Sequence, residues 1–233
     1  MGLNNENVFA IQSRAWLVFD VETVPTPDCA DYLTDPIEAP RNYKDPDKIN
    51  AYIAEARQRQ IDEAALNLDL CEVVAVAFAL KAQSYVLTRE VASEEEILRG
   101  FWRQVASVQR DFGKIVGFNC LDFDLLVLVR RSQLLGIRPP TLLVERYRRH
   151  DGIVDVLDVL SFGHRELRCS LSFYCRRFGI PHDESITGAD ITRLVTAGDW
   201  ASVARHCVDD MEATRELAFR LELIQRPELE PVA

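Results

Sequence analysis

The chain has 233 residues, 48% of them hydrophobic and 27% charged, with a formal net charge of −10. This composition is typical of a folded globular protein of one or two domains. No apolar run approaches the roughly 18 residues of a membrane-spanning helix, and the N-terminus lacks the pattern of a signal peptide, so we expect a cytoplasmic protein without membrane contact. The six cysteines form no C-x-x-C pair, which argues against zinc and redox motifs and predicts reduced thiols.

The first predicted element is a strand over about residues 15–21, rich in Trp, Val and Phe and followed by Pro25. Asp20 and Glu22 lie two apart at its end, so they would project from one face and repel each other. A divalent cation relieves such repulsion, which makes this pair the best candidate for a metal site. Two solvated carboxylates at the end of a strand would give the same sequence pattern.

Residues 25–45 are rich in Pro, Asp and Thr and are predicted to form a loop. The stretch Asp47–Leu68 then has few apolar positions among many charges, which predicts a largely exposed helix. Residues 40–68 therefore look like a helical insertion. Either it covers the site or it is a solvated peripheral helix.

Two strands follow, over residues 72–80 and 83–88, and their short connection predicts an antiparallel hairpin. Ser93 resembles the start of a capping box and predicts a helix to about residue 107. The predicted elements begin with strands and then alternate between strands and helices. This order predicts an α/β fold with a mixed sheet and helices on its faces.

A further strand over residues 114–119 leads into a helix that ends near Leu135. Asp122 and Asp124 compete for a functional role at its start. Asp122 could cap the helix, whereas Asp124 would lie in the first turn, where the helix dipole favours a carboxylate. Spacing alone leaves this choice open.

The C-terminal third is predicted to be helical, with helices over Ser170–Phe178, Gly188–Ala197 and Asp199–Gln225, and a frayed tail from Arg226. We expect a single domain of residues 1–233 with a core over about 14–222, because no linker divides the chain.

Adjacent acids on the last predicted helix can be separated by helical periodicity. Asp210 lies about 60° from the centre of the apolar stripe, at its border, whereas Asp209 lies about 160° away and should face solvent. His206, one turn before Asp210, lies on the same side of the helix. Taken alone, these two residues could also be an ordinary surface pair.

The charge is unevenly distributed along the chain. Residues 130–177 contain ten basic and five acidic residues, so this stretch carries +5 and the rest carries −15. It includes Arg146, Arg148, Arg149 and His150. This basic stretch softens the objection that an acidic protein should not bind nucleic acid, although the arginines could simply be solvated.

Three short motifs occur in the order Asp20-Val-Glu22, then Asn119-x-x-x-Phe123-Asp124, then His206-Cys-x-x-Asp210-Met-x-x-Thr214. In residues, order and placement they resemble the motifs of the DEDD (DnaQ-like) 3′–5′ exonuclease superfamily. The resemblance is closest to the predicted exonucleases related to the proofreading domain of family B DNA polymerases. It covers about residues 14–222 and implies an RNase H-like fold.

The resemblance also implies roles for these residues. Asp20, Glu22 and Asp210 would bind one Mg²⁺ or Mn²⁺, and Asp124 would support a second ion bridged by Asp20. Thr23 would contact the 3′-terminal nucleotide. Asn119 and Phe123 would lie in the substrate site. The implied activity is two-metal hydrolysis of single-stranded 3′ ends to nucleoside monophosphates, on DNA in preference to RNA. A polymerase or other protein partner stays unidentified.

One residue departs from the pattern of the superfamily. His206 has the spacing that the tyrosine-type subfamily gives to Tyr, four residues before the last Asp. An imidazole titrates near neutral pH and can act as a general base, whereas a phenol would orient the water instead. The alternative is a catalytically weak or inactive nucleic-acid-binding or interaction module. Phe118, Phe123 and Tyr174 could stack on bases, although each also suits a core.

Overall fold

The computed structural model describes residues 15–140 and 152–227. Its five strands, β1 to β5, are Trp16–Pro25, Cys71–Leu80, Gln83–Thr88, Lys114–Gly117 and Ile153–Asp155. They form one sheet in the order β3-β2-β1-β4-β5. Strands β1, β2 and β3 pair antiparallel, whereas β4 runs parallel to both β1 and β5. The predicted mixed sheet is therefore confirmed.

Helices cover both faces of this sheet. Within the described residues, helices α1 to α8 are Cys29–Tyr32, Pro46–Glu63, Glu94–Arg110, Asp124–Leu134, Val156–Leu160, Leu171–Phe178, Ile191–Ala197 and Trp200–Arg220. Short 3₁₀ turns span Ala64–Leu66, Arg165–Leu167 and Gly188–Asp190. The α3 and α4 helices pack on one face, and α8 packs on the other with α6 and α7. None of these helices combines the length and apolarity needed to cross a membrane.

The alternation of side chains along β1 decides which face receives the acids. Leu17 and Phe19 point into the core beneath α3 and α4. Val18 belongs to the opposite core, beneath α8. Since side chains two apart share a face, Asp20 lies on the same face as Val18 and is directed towards α8.

Most elements match their predicted positions, and the differences have local causes. The hairpin of β2 and β3 and the Ser93 capping box are both present. The strand predicted over 114–119 ends at Gly117, because Asn119 turns the chain with a φ of 57°. Strand β5 was not predicted, since three residues are too few to show a periodicity.

The predicted 25–45 loop contains the short helix α1, and the predicted insertion folds as α2 followed by the Ala64–Leu66 turn. No residue of α2 is buried, so the helix is peripheral as its charges indicate. Its end nevertheless reaches the sheet, because the Thr23 hydroxyl donates to the Ala65 carbonyl at 2.7 Å.

The C-terminal end differs from prediction in two respects. The last helix ends at Arg220 and not near Gln225, since the chain turns at Glu222 with a φ of 57°. Arg226, expected in a frayed tail, is held by Glu216 at 2.7 Å and lies over the Phe219 ring at 4.6 Å. The predicted tail beyond Pro227 and the basic cluster 146–150 lie outside the described residues.

Asp155 holds the loop between β4 and α4. It is buried, and its carboxylate accepts from the backbone N–H groups of Asn119 at 2.9 Å and Leu121 at 3.0 Å. The same carboxylate caps α5 by accepting from the Leu157 N–H at 3.0 Å. One side chain at the end of β5 therefore fixes the turn that leads into Asp124.

We expect Asp155→Ala to lower the free energy of unfolding by about 3 kcal/mol, because several buried N–H groups lose their acceptor. Urea unfolding followed by circular dichroism measures the change. Asp155→Asn should retain part of the stability, since its amide oxygen still accepts.

Asp199→Ala is the matched control. Asp199 also caps a helix, α8, but makes one hydrogen bond at an exposed position, to the Ser202 N–H at 3.1 Å. Its loss should cost about 1 kcal/mol. Equal effects of the two alanine variants would contradict the clamping role of Asp155.

Candidate active site

A cleft of about 1080 Å³ opens where β1 ends, between α4, α8 and the end of α2. This volume is at the upper end for a small-molecule pocket and leaves room for a polymer end. Its lining brings together five residues selected from the sequence: Asp20, Glu22, Asp124, His206 and Asp210. Residues separated by up to 190 positions therefore meet in one cavity.

Asp20 and Glu22 lie side by side in β1, as the period of a strand requires. Their carboxylate oxygens and the Cys207 sulfur lie within 4.8 Å of one another. The register between β1 and β2 shifts directly after Glu22, at Thr23. Such a bulge is common beside functional sites, where it re-aims a side chain.

Asp124, and not Asp122, is the acid of α4 that reaches the cleft. It is the first residue of the helix, is buried, and lines the cleft. Asp122 points elsewhere and forms an ion pair with Arg168. The helix is capped by neither side chain, because Phe123 occupies the N-cap position.

Asp210 and His206 project into the cleft from α8. The buried His206 ring lies between two acids, with Nε2 3.6 Å from Glu22 Oε1 and Nδ1 3.6 Å from Asp210 Oδ1. Both distances exceed a hydrogen bond. Nδ1 is buried and has no hydrogen-bond partner among the described residues.

His182 is a contact of this site that sequence reasoning missed. Its Nε2 lies 2.9 Å from Asp210 Oδ1, and its side chain is almost fully buried. Gly179, with a φ of 63°, ends α6 and turns the chain so that His182 lies against α8. Nothing near His182 in the sequence signals this contact, because it depends on how α6 packs on α8.

Asp209 was expected to face solvent, and it is only partly exposed. Its Oδ2 accepts from the Asp183 N–H at 2.8 Å and lies 3.6 Å from His182 Nε2. It does not line the cleft. Asp209 therefore fastens the loop after α6 to α8, while Asp210 serves the cavity.

The surroundings of the acids in the cleft disfavour their ionised form. Burial, followed by the charge of Glu22, raises the pKa of Asp20 well above its usual range. Burial and the charges of Asp210 and Asp124 do the same to the pKa of Glu22. Burial raises the pKa of Asp124 to about 7. The cluster is thus short of positive charge.

Its chemistry fits a divalent cation. Clustered carboxylate oxygens are the donors that Mg²⁺ and Mn²⁺ prefer, and a cation would remove the repulsion. Cys207 is a poor ligand, because its thiol donates to the Asp20 carbonyl oxygen at 3.6 Å and burial raises its pKa well above the usual range.

The residues expected to contact substrate also line the cleft. Thr23, Asn119 and Phe123 lie on its wall, together with Phe118. Tyr174 does not line it: this ring is buried and its hydroxyl donates to the Leu167 carbonyl at 3.3 Å. Tyr174 is therefore a core residue and not a stacking platform.

Charged side chains of both signs line the cleft around the acids. Asp62 and Glu63, at the end of α2, lie on its wall. Arg168 and Arg193 line the cleft as well, and come from segments that precede α6 and form α7. Arg168 is paired with Asp122 and Asp158, and Arg193 is paired with Asp190.

Two comparisons with known proteins found similarities. The model of a family described as "Predicted 3′-5′ exonuclease related to the exonuclease domain of PolB" matches residues 63–227. Among solved structures, the family B DNA polymerase from the hyperthermophilic archaeon Pyrobaculum calidifontis is similar, with a TM-score of 0.55 and 19% identity over 89% of this chain. The match spans only 24% of that polymerase. No curated protein matches the chain.

We expect Asp124→Asn to stabilise the metal-free protein at pH 8 by about 2 kcal/mol, or roughly 4–8 °C in Tm. The folded-state pKa of Asp124, about 7, lies above the unfolded value of 3.8. Folding therefore favours the protonated acid. The stability that Asp124 contributes is fully present below pH 4 and is lost as the pH rises through 7. The advantage of the variant should shrink towards pH 4 in thermal unfolding with EDTA.

Asp122→Asn is the matched control, since it removes a carboxylate two residues away that has a cationic partner, Arg168. This variant should be less stable than the parent at pH 8. Divalent cations should raise the Tm of the parent more than that of Asp124→Asn. A difference in Tm between the parent and Asp124→Asn that does not change with pH would contradict the repulsion among the carboxylates.

Proposed function

The chain belongs to the family of predicted 3′–5′ exonucleases related to the exonuclease domain of PolB, and we propose that it removes nucleotides one at a time from single-stranded 3′ ends. The observation that carries this proposal is the convergence of Asp20, Glu22, Asp124 and Asp210 in one open cleft. DNA is favoured over RNA, because the family is related to part of a DNA polymerase.

The acids divide into two sets in the proposed site. Asp20, Glu22 and Asp210 would hold one Mg²⁺ or Mn²⁺, and Asp20 with Asp124 would hold a second. Two such ions activate the attacking water and stabilise the leaving oxygen of an in-line displacement. The water oxygen bonds to phosphorus, the P–O3′ bond breaks, and the products are a nucleoside 5′-monophosphate and a strand shortened by one residue.

His206 is proposed as the general base for the attacking water. Its ring lies between Glu22 and Asp210, and Nδ1 is buried with no hydrogen-bond partner among the described residues. A buried polar atom is costly to leave unpaired, so a water or substrate proton is the natural partner of the ring. His182 would keep Asp210 in one orientation through its 2.9 Å contact with Oδ1.

Thr23 is proposed to receive the 3′-terminal nucleotide. Its hydroxyl proton is already donated to the Ala65 carbonyl, so only the lone pairs of Oγ1 are offered to a ligand. An acceptor of this kind suits the 3′-hydroxyl group, which donates. Asn119 and Phe123 would contact the same nucleotide from the α4 side of the cleft.

We expect Asp20→Asn and Asp210→Asn to lower the hydrolysis rate at least about 1000-fold, because each removes a ligand charge. The assay incubates the purified chain with Mg²⁺ or Mn²⁺ and single-stranded DNA, double-stranded DNA or single-stranded RNA, each labelled at either end. A 3′ label should appear first as a mononucleotide.

Asp111→Asn is the matched control, since Asp111 is an exposed acid at the end of α3 and does not line the cleft. Its activity should stay within about threefold of the parent. Longer fragments as first products would indicate an endonuclease. Tight binding without turnover in either metal would favour the alternative, a nucleic-acid-binding module.

We expect His206→Ala to lower kcat by about 100- to 10,000-fold, the usual contribution of a general base. Stabilisation of the protein by Mn²⁺, read as a rise in Tm, should persist because the carboxylates remain. An activity within threefold of the parent would exclude His206 as the base.

A further inference from the structure

An exposed surface next to the cleft combines aromatic and basic side chains. It consists of Phe162, Arg165 and Leu167 in the turn before α6, and Phe173, Arg176 and Arg177 on α6; we refer to it as the α6 surface. Phe162 is 81% exposed, Phe173 41% and the Arg165 side chain 80%. Residues 162–177 contain four arginines and one acid, against a chain of net charge −10.

The α6 surface is continuous with the cleft. Cys169 and Ser170 line the cavity, and Ser170 caps α6 by accepting from the Phe173 N–H at 3.2 Å. The rings are also in contact: Phe118 on the cleft wall packs against Tyr174 at 6.2 Å, and Tyr174 against Phe173 at 5.4 Å. A row of rings therefore runs from the cavity to the surface.

The turn before α6 is held rigidly against the catalytic acids. Arg168 forms ion pairs with Asp122 and Asp158, and its guanidinium lies 3.5 Å from Asn119 Oδ1. Since Asp122 is two residues from Asp124, the α6 surface is fixed relative to the metal ligands. A ligand that spans both would meet a preformed path.

The arginines of this surface remain available to a ligand. Arg165 lies 3.8 Å from Asp122 Oδ1 at a largely exposed position. Arg176 pairs with Glu184 at 3.3 Å, and both side chains are exposed. Exposed pairs of this kind contribute little and are screened, so phosphate groups can compete for these arginines.

We propose that the α6 surface binds the single-stranded nucleic acid 5′ of its 3′-terminal nucleotide, with bases stacked on Phe173 and Phe162 and phosphates paired with Arg165, Arg176 and Arg177. This proposal rests on the proposed function, which places the 3′ end at the acids. Aromatic rings beside a basic path are the common design for single strands, because every base has a face to stack.

The test is isothermal titration calorimetry with (dT)3 and (dT)10 and Mg²⁺, in the full chain carrying Asp20→Asn to prevent hydrolysis. The parent should bind (dT)10 more tightly than (dT)3. Phe173→Ala should weaken (dT)10 binding by about 5- to 100-fold and change (dT)3 binding less than twofold. Phe173→Tyr should restore the binding of (dT)10. Arg165→Ala should reduce the slope of the logarithm of the binding constant against the logarithm of the salt concentration by about 0.7.

Phe112→Ala is the matched control. Phe112 is 83% exposed and, like Phe162, has a positive φ, but it precedes β4, at the end of the sheet opposite the cleft. The Phe112→Ala substitution should leave the binding of both oligonucleotides unchanged. Equal weakening by Phe112→Ala and Phe173→Ala, or unchanged (dT)10 binding in Phe173→Ala, would overturn the proposal and leave the surface to a protein partner.

The two proposals fail in different ways. If the active chain hydrolyses (dT)3 while the variants bind (dT)10 as the parent does, the α6 proposal is wrong and the exonuclease proposal stands. If the length-dependent binding is present but no oligonucleotide is hydrolysed in Mg²⁺ or Mn²⁺, the α6 proposal stands and the exonuclease proposal is wrong.

Discussion

Mutual repulsion among four carboxylates is the constraint on which this structure depends. Asp20, Glu22 and Asp124 are each held where burial and neighbouring acids raise the pKa, and Asp210 adds its charge to all three. Such a cluster opposes folding unless a cation or protons neutralise it. The surrounding fold must therefore hold the elements that carry these acids together by contacts made elsewhere.

Those contacts are polar clamps next to the site and two apolar cores around it. Asp155 fixes the turn before Asp124 through backbone hydrogen bonds, and Arg168 ties the same turn to the segment before α6. Asp209 anchors the loop that brings His182 to Asp210. Apart from the His182 contact with Asp210 Oδ1, these clamps act on residues other than the four acids, which leaves the other ligand oxygens to a cation.

The fold was largely predictable, because strand and helix periodicities are local properties. The same periodicity separated Asp210 from Asp209 and placed Asp20 with Glu22 on one face. Spacing could not separate Asp122 from Asp124, since the deciding partner of Asp122, Arg168, lies 46 positions away. Likewise His182 and β5 depend on tertiary packing and show no local pattern, so the sequence alone did not reveal them.

The net charge of −10 and a nucleic-acid ligand are compatible because the charges are unevenly distributed along the chain. Four carboxylates lie in the cleft, where cations would neutralise them, and Asp62 and Glu63 at the end of α2 line it as well. Residues 162–177, in the turn before α6 and on α6 itself, carry four arginines and one acid. At physiological salt, charges act over about 8 Å, so a bound phosphate experiences this local distribution and not the overall charge. An acidic protein can therefore bind a polyanion at a surface where arginines outnumber acids.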